Sequence, residues 1–266
     1  MSAFADSGGV RIAYEVQGEA GEPVVLIHGL GYDRFGWGPL PERLAERFRV
    51  LVFDNRGVGE SDAPEGPYTV SQMVGDTLAA LDAAGFERAH VFGASLGGLI
   101  AQELALTHPE RVDKLVLCST APGGPKSYPM PAAGLEAFAK YPAMEREAGL
   151  RFMVENALGE RGVRELPELV EEIWRYRLEH APSLAAWQAQ AYAAMTFDAY
   201  DRAGGIAAPT LVVHGTPDNV VDTRNGELLA QLIPNATLHV VRDRGHLLVW
   251  EDAVAVAGLV TEFLAA

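Results

Sequence analysis

The chain has 266 residues, 48% of them hydrophobic and 21% charged, which fits one α/β domain or a core carrying a smaller insert. Its formal net charge of -15 is spread along the sequence, so its field repels nucleic acid and anionic lipid and leaves a small molecule as the expected partner. The single cysteine, Cys118, excludes an intramolecular disulfide and a cysteine metal cluster, and its apolar run Lys-Leu-Val-Leu-Cys marks it as a small buried hydrophobe.

In chain order, 10–16 reads as a first strand and 23–27 as a buried strand ending at His28-Gly29. A strand at 50–54 leads into Asn-Arg-Gly-Val-Gly. A helix is predicted over 71–84, stopped by Gly85. A strand at 90–92 then runs into Gly-Ala-Ser-Leu-Gly-Gly and a helix over 96–107. Strands at 115–118, 210–214 and 238–241 and a closing helix at 251–264 complete the series. Strands separated by helices imply a largely parallel sheet. Between 122 and 205 the alternation stops. Leu, Ala, Glu and aromatic residues there recur at helical spacing, most clearly over 165–179 and 183–195. This stretch is expected to be a helical cap set into a core formed by 1–121 and 206–266. The opening residues lack a basic segment followed by an apolar one, so no secretory signal is expected. No stretch is long and apolar enough to span a bilayer, and a cytoplasmic location is the default expectation.

The strongest chemical signal is Gly93-Ala94-Ser95-Leu96-Gly97, a G-x-S-x-G pattern between an apolar strand and a helix. A serine on so tight a turn is lifted clear of the sheet, and its neighbours two residues away must be small. Its hydroxyl needs an adjacent base. Of the seven histidines, His246 follows Gly245, lies past the last strand and precedes the closing helix, where a serine–acid–histidine order places the base. His214 closes a strand and reads as structural. The acid belongs between them: Asp218, four residues beyond the strand 210–214, is the choice. Asp222 reads instead as a helix cap, and Asp243 is close to His246 along the chain. Two backbone amides are expected to hold the oxyanion, from Leu96 at the start of a helix and from Leu30 in the turn His28-Gly29-Leu30-Gly31. No nucleotide-binding glycine pattern or ligand cluster is present, so no cofactor and no metal are expected.

These motifs, with Asp54-Asn55-Arg56-Gly57-Val58-Gly59-Glu60-Ser61, resemble the α/β-hydrolase fold family across essentially the whole chain. The resemblance implies an eight-stranded sheet with a helical cap between its sixth strand and the following helix. It also implies that the segment 54–61 organises the loop beside the active site. Serine at 95 sets the chain apart from dehalogenases and epoxide hydrolases, which use an aspartate there. Local sequence is similar to small bacterial carboxylesterases and 3-oxoadipate enol-lactonases. The implied activity is hydrolysis of a carboxylic ester through an acyl-enzyme. Enol-lactone or C–C bond hydrolysis, perhydrolase or haloperoxidase chemistry and a non-catalytic small-ligand receptor stand as alternatives. In the insert, Arg151, Arg161, Arg164, Arg175 and Arg177 sit among glutamates and read as solvated helix-face ion pairs, leaving no clear arginine to grip a dienoate. Trp174, Trp187, Tyr192 and Phe197 are the candidates for apolar walls around the substrate, though aromatics at helical spacing more often pack an insert onto its core.

Overall fold

Two glycines make the first turn of the chain. In the structure, a computed structural model describing residues 2–266, Gly8 and Gly9 both take positive φ (63° and 92°). Such a pair suits a two-residue hairpin, and it folds β1 (Ala3–Ser7) antiparallel onto β2 (Val10–Gln17). Periodicity alone did not predict β1, a short edge strand with Phe4 half exposed.

Six further strands follow: β3 (Pro23–Ile27), β4 (Arg49–Phe53), β5 (Ala89–Ala94), β6 (Val112–Cys118), β7 (Thr210–Thr216) and β8 (Ala236–Arg242). They complete one sheet in the order β1-β2-β4-β3-β5-β6-β7-β8, parallel from β4 to β8. Residues 24–27 of β3 are all buried, because both faces of the sheet are covered. Val25 and Ile27 join one core cluster and Val24 and Leu26 the other.

The helices in chain order are α1 (Leu40–Ala45), α2 (Val70–Ala83), α3 (Leu96–Thr107), α4 (Ala132–Lys140), α5 (Arg146–Glu165), α6 (Pro167–His180), α7 (Leu184–Thr196), α8 (Arg224–Leu232), α9 (Leu248–Glu251) and α10 (Ala253–Ala265). Helix α2 opens on a capping box, in which Thr69 Oγ1 accepts the Gln72 N–H and Gln72 Oε1 accepts the Thr69 N–H. Leu40, Leu44, Val256 and Val260 of α1 and α10 pack on one face of the sheet. Met73, Leu81, Ile100, Leu104 and Leu229 of α2, α3 and α8 pack on the other. No helix among the described residues is long and apolar enough to cross a membrane.

Helices α4 to α7 all lie between β6 and β7. The chain leaves and re-enters this insert at one neck. There Gly124 N–H donates to Phe197 O (3.0 Å) and Ala199 N–H to Pro122 O (2.9 Å). Helix α5 breaks at Gly159, whose φ of 69° and ψ of 173° are not helical. Around that break a third cluster forms from Val154, Ala157, Leu158, Val170 and Ile173 of the insert together with Leu247 of the core.

Candidate active site

Ser95 sits between β5 and α3 with φ 53° and ψ -118°, a conformation a residue with a β-carbon rarely adopts. Its backbone is pinned on both sides. The N–H donates to Cys118 O (2.9 Å), and the carbonyl accepts from Gly98 N–H (2.9 Å) and Thr120 Oγ1 (2.8 Å). A β-carbon at Gly97 would run into the Ile27 carbonyl, so glycine is what lets α3 start so close to β3.

His246 and Asp218 reach the same point from the ends of β8 and β7. His246 Nε2 is 3.1 Å from Ser95 Oγ, and its Nδ1 is 2.8 Å from Asp218 Oδ2. Asp218 is buried, and its other oxygen accepts the amides of Val220 (2.8 Å) and Val221 (2.9 Å). Burial pushes this carboxyl up. The opposing pull of His246 and of hydrogen bonds from His214 and His246 wins and holds it well below the usual carboxylate range. His214, expected to be structural, is a second imidazole on Asp218. Its Nε2 lies 3.3 Å from Oδ2 and 3.1 Å from the Val221 carbonyl, so that nitrogen carries the proton. A histidine closing the strand four residues before the acid was the sequence signal for it.

The rival acids stand elsewhere. Asp243 is exposed and pairs with Arg161, while Asp222 takes the Arg224 N–H (3.0 Å) and its guanidinium at the start of α8. Glu251 was not foreseen as part of the site. Both its oxygens accept the Gly245 N–H (2.8 and 3.0 Å), steadying the residue before His246, and burial raises its pKa to about 7.

Beside Ser95 runs the turn after β3. A β-carbon on Gly29 would stand 3.1 Å from Ser95 Cβ, so the residue preceding Leu30 packs directly against the serine. Among the described residues neither Leu30 N–H nor Leu96 N–H has an acceptor. Burial lowers the pKa of His28 to about 4, so the ring is neutral and its Nδ1 can accept the Gly29 N–H (2.6 Å). His28 stacks on Tyr32, and Asn55 Nδ2 donates to its carbonyl (3.0 Å). Asp54 accepts the Arg34 amide (2.7 Å) and pairs with the Arg34 guanidinium, tying the 54–61 segment to this turn.

Of the four aromatic residues proposed as substrate walls, only Trp187 comes to this turn, its Cδ1 lying 3.0 Å from where a β-carbon on Gly31 would stand. Trp174 instead fastens α6 to α5, donating to Glu147 O (3.1 Å). Tyr192 is half exposed, and Phe197 packs at the neck beside Gly123. The helix-face reading of the arginines fits Arg151 with Glu155 and Glu171, Arg161 with Glu165 and Asp243, and Arg164 with Glu165. It fails for Arg177. This residue is buried, lies over the Tyr32 ring, donates to the Gly31 carbonyl, and has no carboxylate within ion-pair distance among the described residues. Its position was legible, because Val170, Ile173 and Arg177 share the buried stripe of α6.

Comparison with known proteins agrees with this architecture. A model of the alpha/beta hydrolase fold matches residues 22–253, and the chain belongs to that family. It is 34% identical to a 2-hydroxy-6-oxononadienedioate/2-hydroxy-6-oxononatrienedioate hydrolase of Cupriavidus pinatubonensis, over 96% of this chain and 90% of that one. A poly(3-hydroxyalkanoate) depolymerase of Ectopseudomonas oleovorans is 31% identical, over 91% of this chain and 84% of its own length. The crystal structure of the enol-lactonase from Burkholderia xenovorans LB400 superposes with a TM-score of 0.88 at 29% identity, covering 99% of this chain and all of that one. The chain is thus a hydrolase by kinship.

Proposed function

We propose that the chain is a serine hydrolase that cleaves a small carboxylic ester or lactone bearing a carboxylate, through an acyl-enzyme. The observation that carries this is the hydrogen-bonded series Ser95–His246–Asp218, at 3.1 and 2.8 Å, with the amides of Leu30 and Leu96 without acceptors among the described residues. Ser95 Oγ attacks the carbonyl carbon while its proton passes to His246 Nε2, and the carbonyl π electrons move onto oxygen, held by Leu30 and Leu96 N–H. Collapse re-forms the carbonyl and expels the alkoxide, which takes the proton from His246. Water then repeats the sequence on the acyl-enzyme, releasing the acid and free Ser95. Asp218 keeps the proton of neutral His246 on Nδ1 and stabilises the imidazolium, and His246 together with His214 keeps Asp218 ionised while the two Val amides fix its other oxygen.

Arg177 supports the substrate class. A buried guanidinium using one donor on a carbonyl calls for an anion, and a carboxylate of the substrate supplies it where the protein does not. Helices α5 to α7 then act as a cap over the strand ends, with Trp187 as an apolar wall. The same feature favours a second reading, C–C bond hydrolysis of a dienoate, since the related Cupriavidus enzyme is named for a dicarboxylate substrate. The purified chain is assayed on p-nitrophenyl butyrate, on the half-ester p-nitrophenyl hydrogen succinate, on lactones and on a 2-hydroxy-6-oxo-dienoate. Preference for the half-ester over the neutral ester, abolished by Ser95→Ala, is the expected result. A kcat/KM for the dienoate far above all esters and lactones establishes the second reading, and turnover that survives Ser95→Ala overturns both.

A further inference from the structure

The segment 29–31 has three successive amides, and two of them are already engaged. Gly29 N–H goes to His28 Nδ1 (2.6 Å) and Gly31 N–H to Gln190 Oε1 of α7 (2.8 Å), which leaves Leu30 N–H, one residue past the Gly29 that packs on Ser95, without an acceptor among the described residues. The Gly31 carbonyl is occupied as well, by Arg177 of α6. Gln190 uses its other end too, with Nε2 donating to the Arg56 carbonyl at 2.8 Å. Arg56 is in turn anchored by a two-point ion pair to buried Asp76 (2.6 and 2.7 Å). Gln190 is wholly buried, so no water competes for either contact. One amide side chain of the insert thus ties two core loops together and fixes the plane of the Leu30–Gly31 peptide.

We infer that Gln190 is a positioning residue for the oxyanion hole: by holding the Gly31 N–H it keeps the neighbouring Leu30 N–H aimed at the point where the oxyanion forms beside Ser95. The inference rests on the proposed role of Leu30. It assigns the insert a part in the chemical step itself, in addition to its contact with substrate. An amide donor acts on the transition state only if its direction is set beforehand, and the free energy of reorienting a loose peptide would appear in the rate.

The test is Gln190→Met, nearly the same length and unable to make either hydrogen bond. With p-nitrophenyl butyrate, kcat is expected to fall about 10- to 100-fold, somewhat less than removal of a whole oxyanion donor, while KM moves less than about threefold. A trifluoromethyl ketone provides a readout that a merely structural role would not move. Ser95 Oγ adds to its carbonyl carbon, the serine proton passes to His246 Nε2, and the former carbonyl oxygen becomes the oxyanion. Its inhibition constant should therefore rise by the factor by which kcat/KM falls. If Gln190→Met does not fold, Gln190→Asn, one methylene too short to reach both partners, is read in the same way. A folded variant that keeps kcat and ketone affinity within twofold overturns the inference, as does a loss confined to KM or a fall in kcat with unchanged ketone affinity. Ser95→Ala separates this from the underlying reading: it must abolish both turnover and ketone adduct formation, and if it does not, the serine mechanism fails before Gln190 is at issue.

Discussion

The sheet core and the helical insert treat buried polarity differently. In the core, buried guanidinium groups find carboxylates: Arg56 pairs with Asp76, and Arg34 with Asp54. In the insert, buried Arg177 has none among the described residues, and buried Gln190 turns both ends to backbone of core loops. The same insert meets the loops that carry His246 and Asp218. The Ala157 carbonyl accepts the His246 N–H at 2.8 Å, and the Asn156 carbonyl accepts from Asn219 at 3.2 Å, one residue past Asp218. The buried guanidinium groups of the core are neutralised within it, whereas the buried Arg177 and Gln190 of the insert turn to backbone of core loops. A roof that only selected substrates would not need to hold the backbone of the turn at 29–31 and of the loops carrying Asp218 and His246.

The largest expected effects belong to the core. Ser95→Ala should lower kcat/KM on the order of 10⁴-fold or more, and Asp218→Asn on the order of 10³- to 10⁴-fold by favouring the wrong His246 tautomer. Steady-state kinetics on folded variants check both; an Asp218→Asn enzyme with near-native turnover would remove the acid from the mechanism and weaken the contrast between regions. Arg177 sharpens it from the other side. Arg177→Ala should cost about 10- to 100-fold in kcat/KM on the half-ester and several-fold at most on the neutral ester. Equal losses on both would make Arg177 a brace for Gly31 and nothing more.

The smallest effect is on stability. Glu251 has its pKa raised to about 7 by burial, above the ordinary carboxyl value of 4.5. The native state therefore holds a proton that the unfolded chain releases, so stability is full below pH 4.5 and declines as pH rises toward 7. At 1.36 kcal/mol per unit the decline is bounded at roughly 3 kcal/mol. Gln at 251 does not titrate, so Glu251→Gln should gain stability relative to the parent between pH 5 and pH 8. Thermal melts of both proteins at the two pH values measure it, and a constant difference would show that this carboxyl is not strained by burial.

Much of the core was legible from residues alone. Helix α3 runs over 96–107 as read, because a glycine turn marks its start and an apolar run its length; β3 stands out as an apolar run ended by a glycine. Strand β1 and the one-and-a-half-turn α1 escaped notice, since short elements carry too few periods to register. The insert was harder for a different reason. Composition marked its helices, but the value of each side chain depends on helix phase. Arg175 and Arg177 differ by two residues, and only the second falls on the stripe with Val170 and Ile173. Gln190 likewise shares a stripe with Ala186 and Ala193, where an amide among alanines was the available signal. Trp174, Tyr192 and Phe197, named beside Trp187, lie away from the turn at 29–31 for the same reason, since spacing says that a residue is helical and not which way its face is turned.

The neck at Gly123 and Asp198 has a consequence for how such a chain can change over generations. The two strands of backbone pass side by side there, joined by hydrogen bonds of 3.0 and 2.9 Å, so to the sheet the whole insert is a loop whose ends already meet. Closing a loop of that kind costs only slowly more as it lengthens. Insertions, deletions or wholesale replacement between the two points are therefore cheap in loop-closure entropy, provided the apolar contacts with the core are kept. They are not cheap for turnover, because a replacement that seals the neck but brings no acceptor for the Gly31 N–H would yield a well-folded and sluggish protein. Tolerance of the scaffold and tolerance of the reaction part company at this junction, and a graft across it can be judged by whether it supplies that one hydrogen bond.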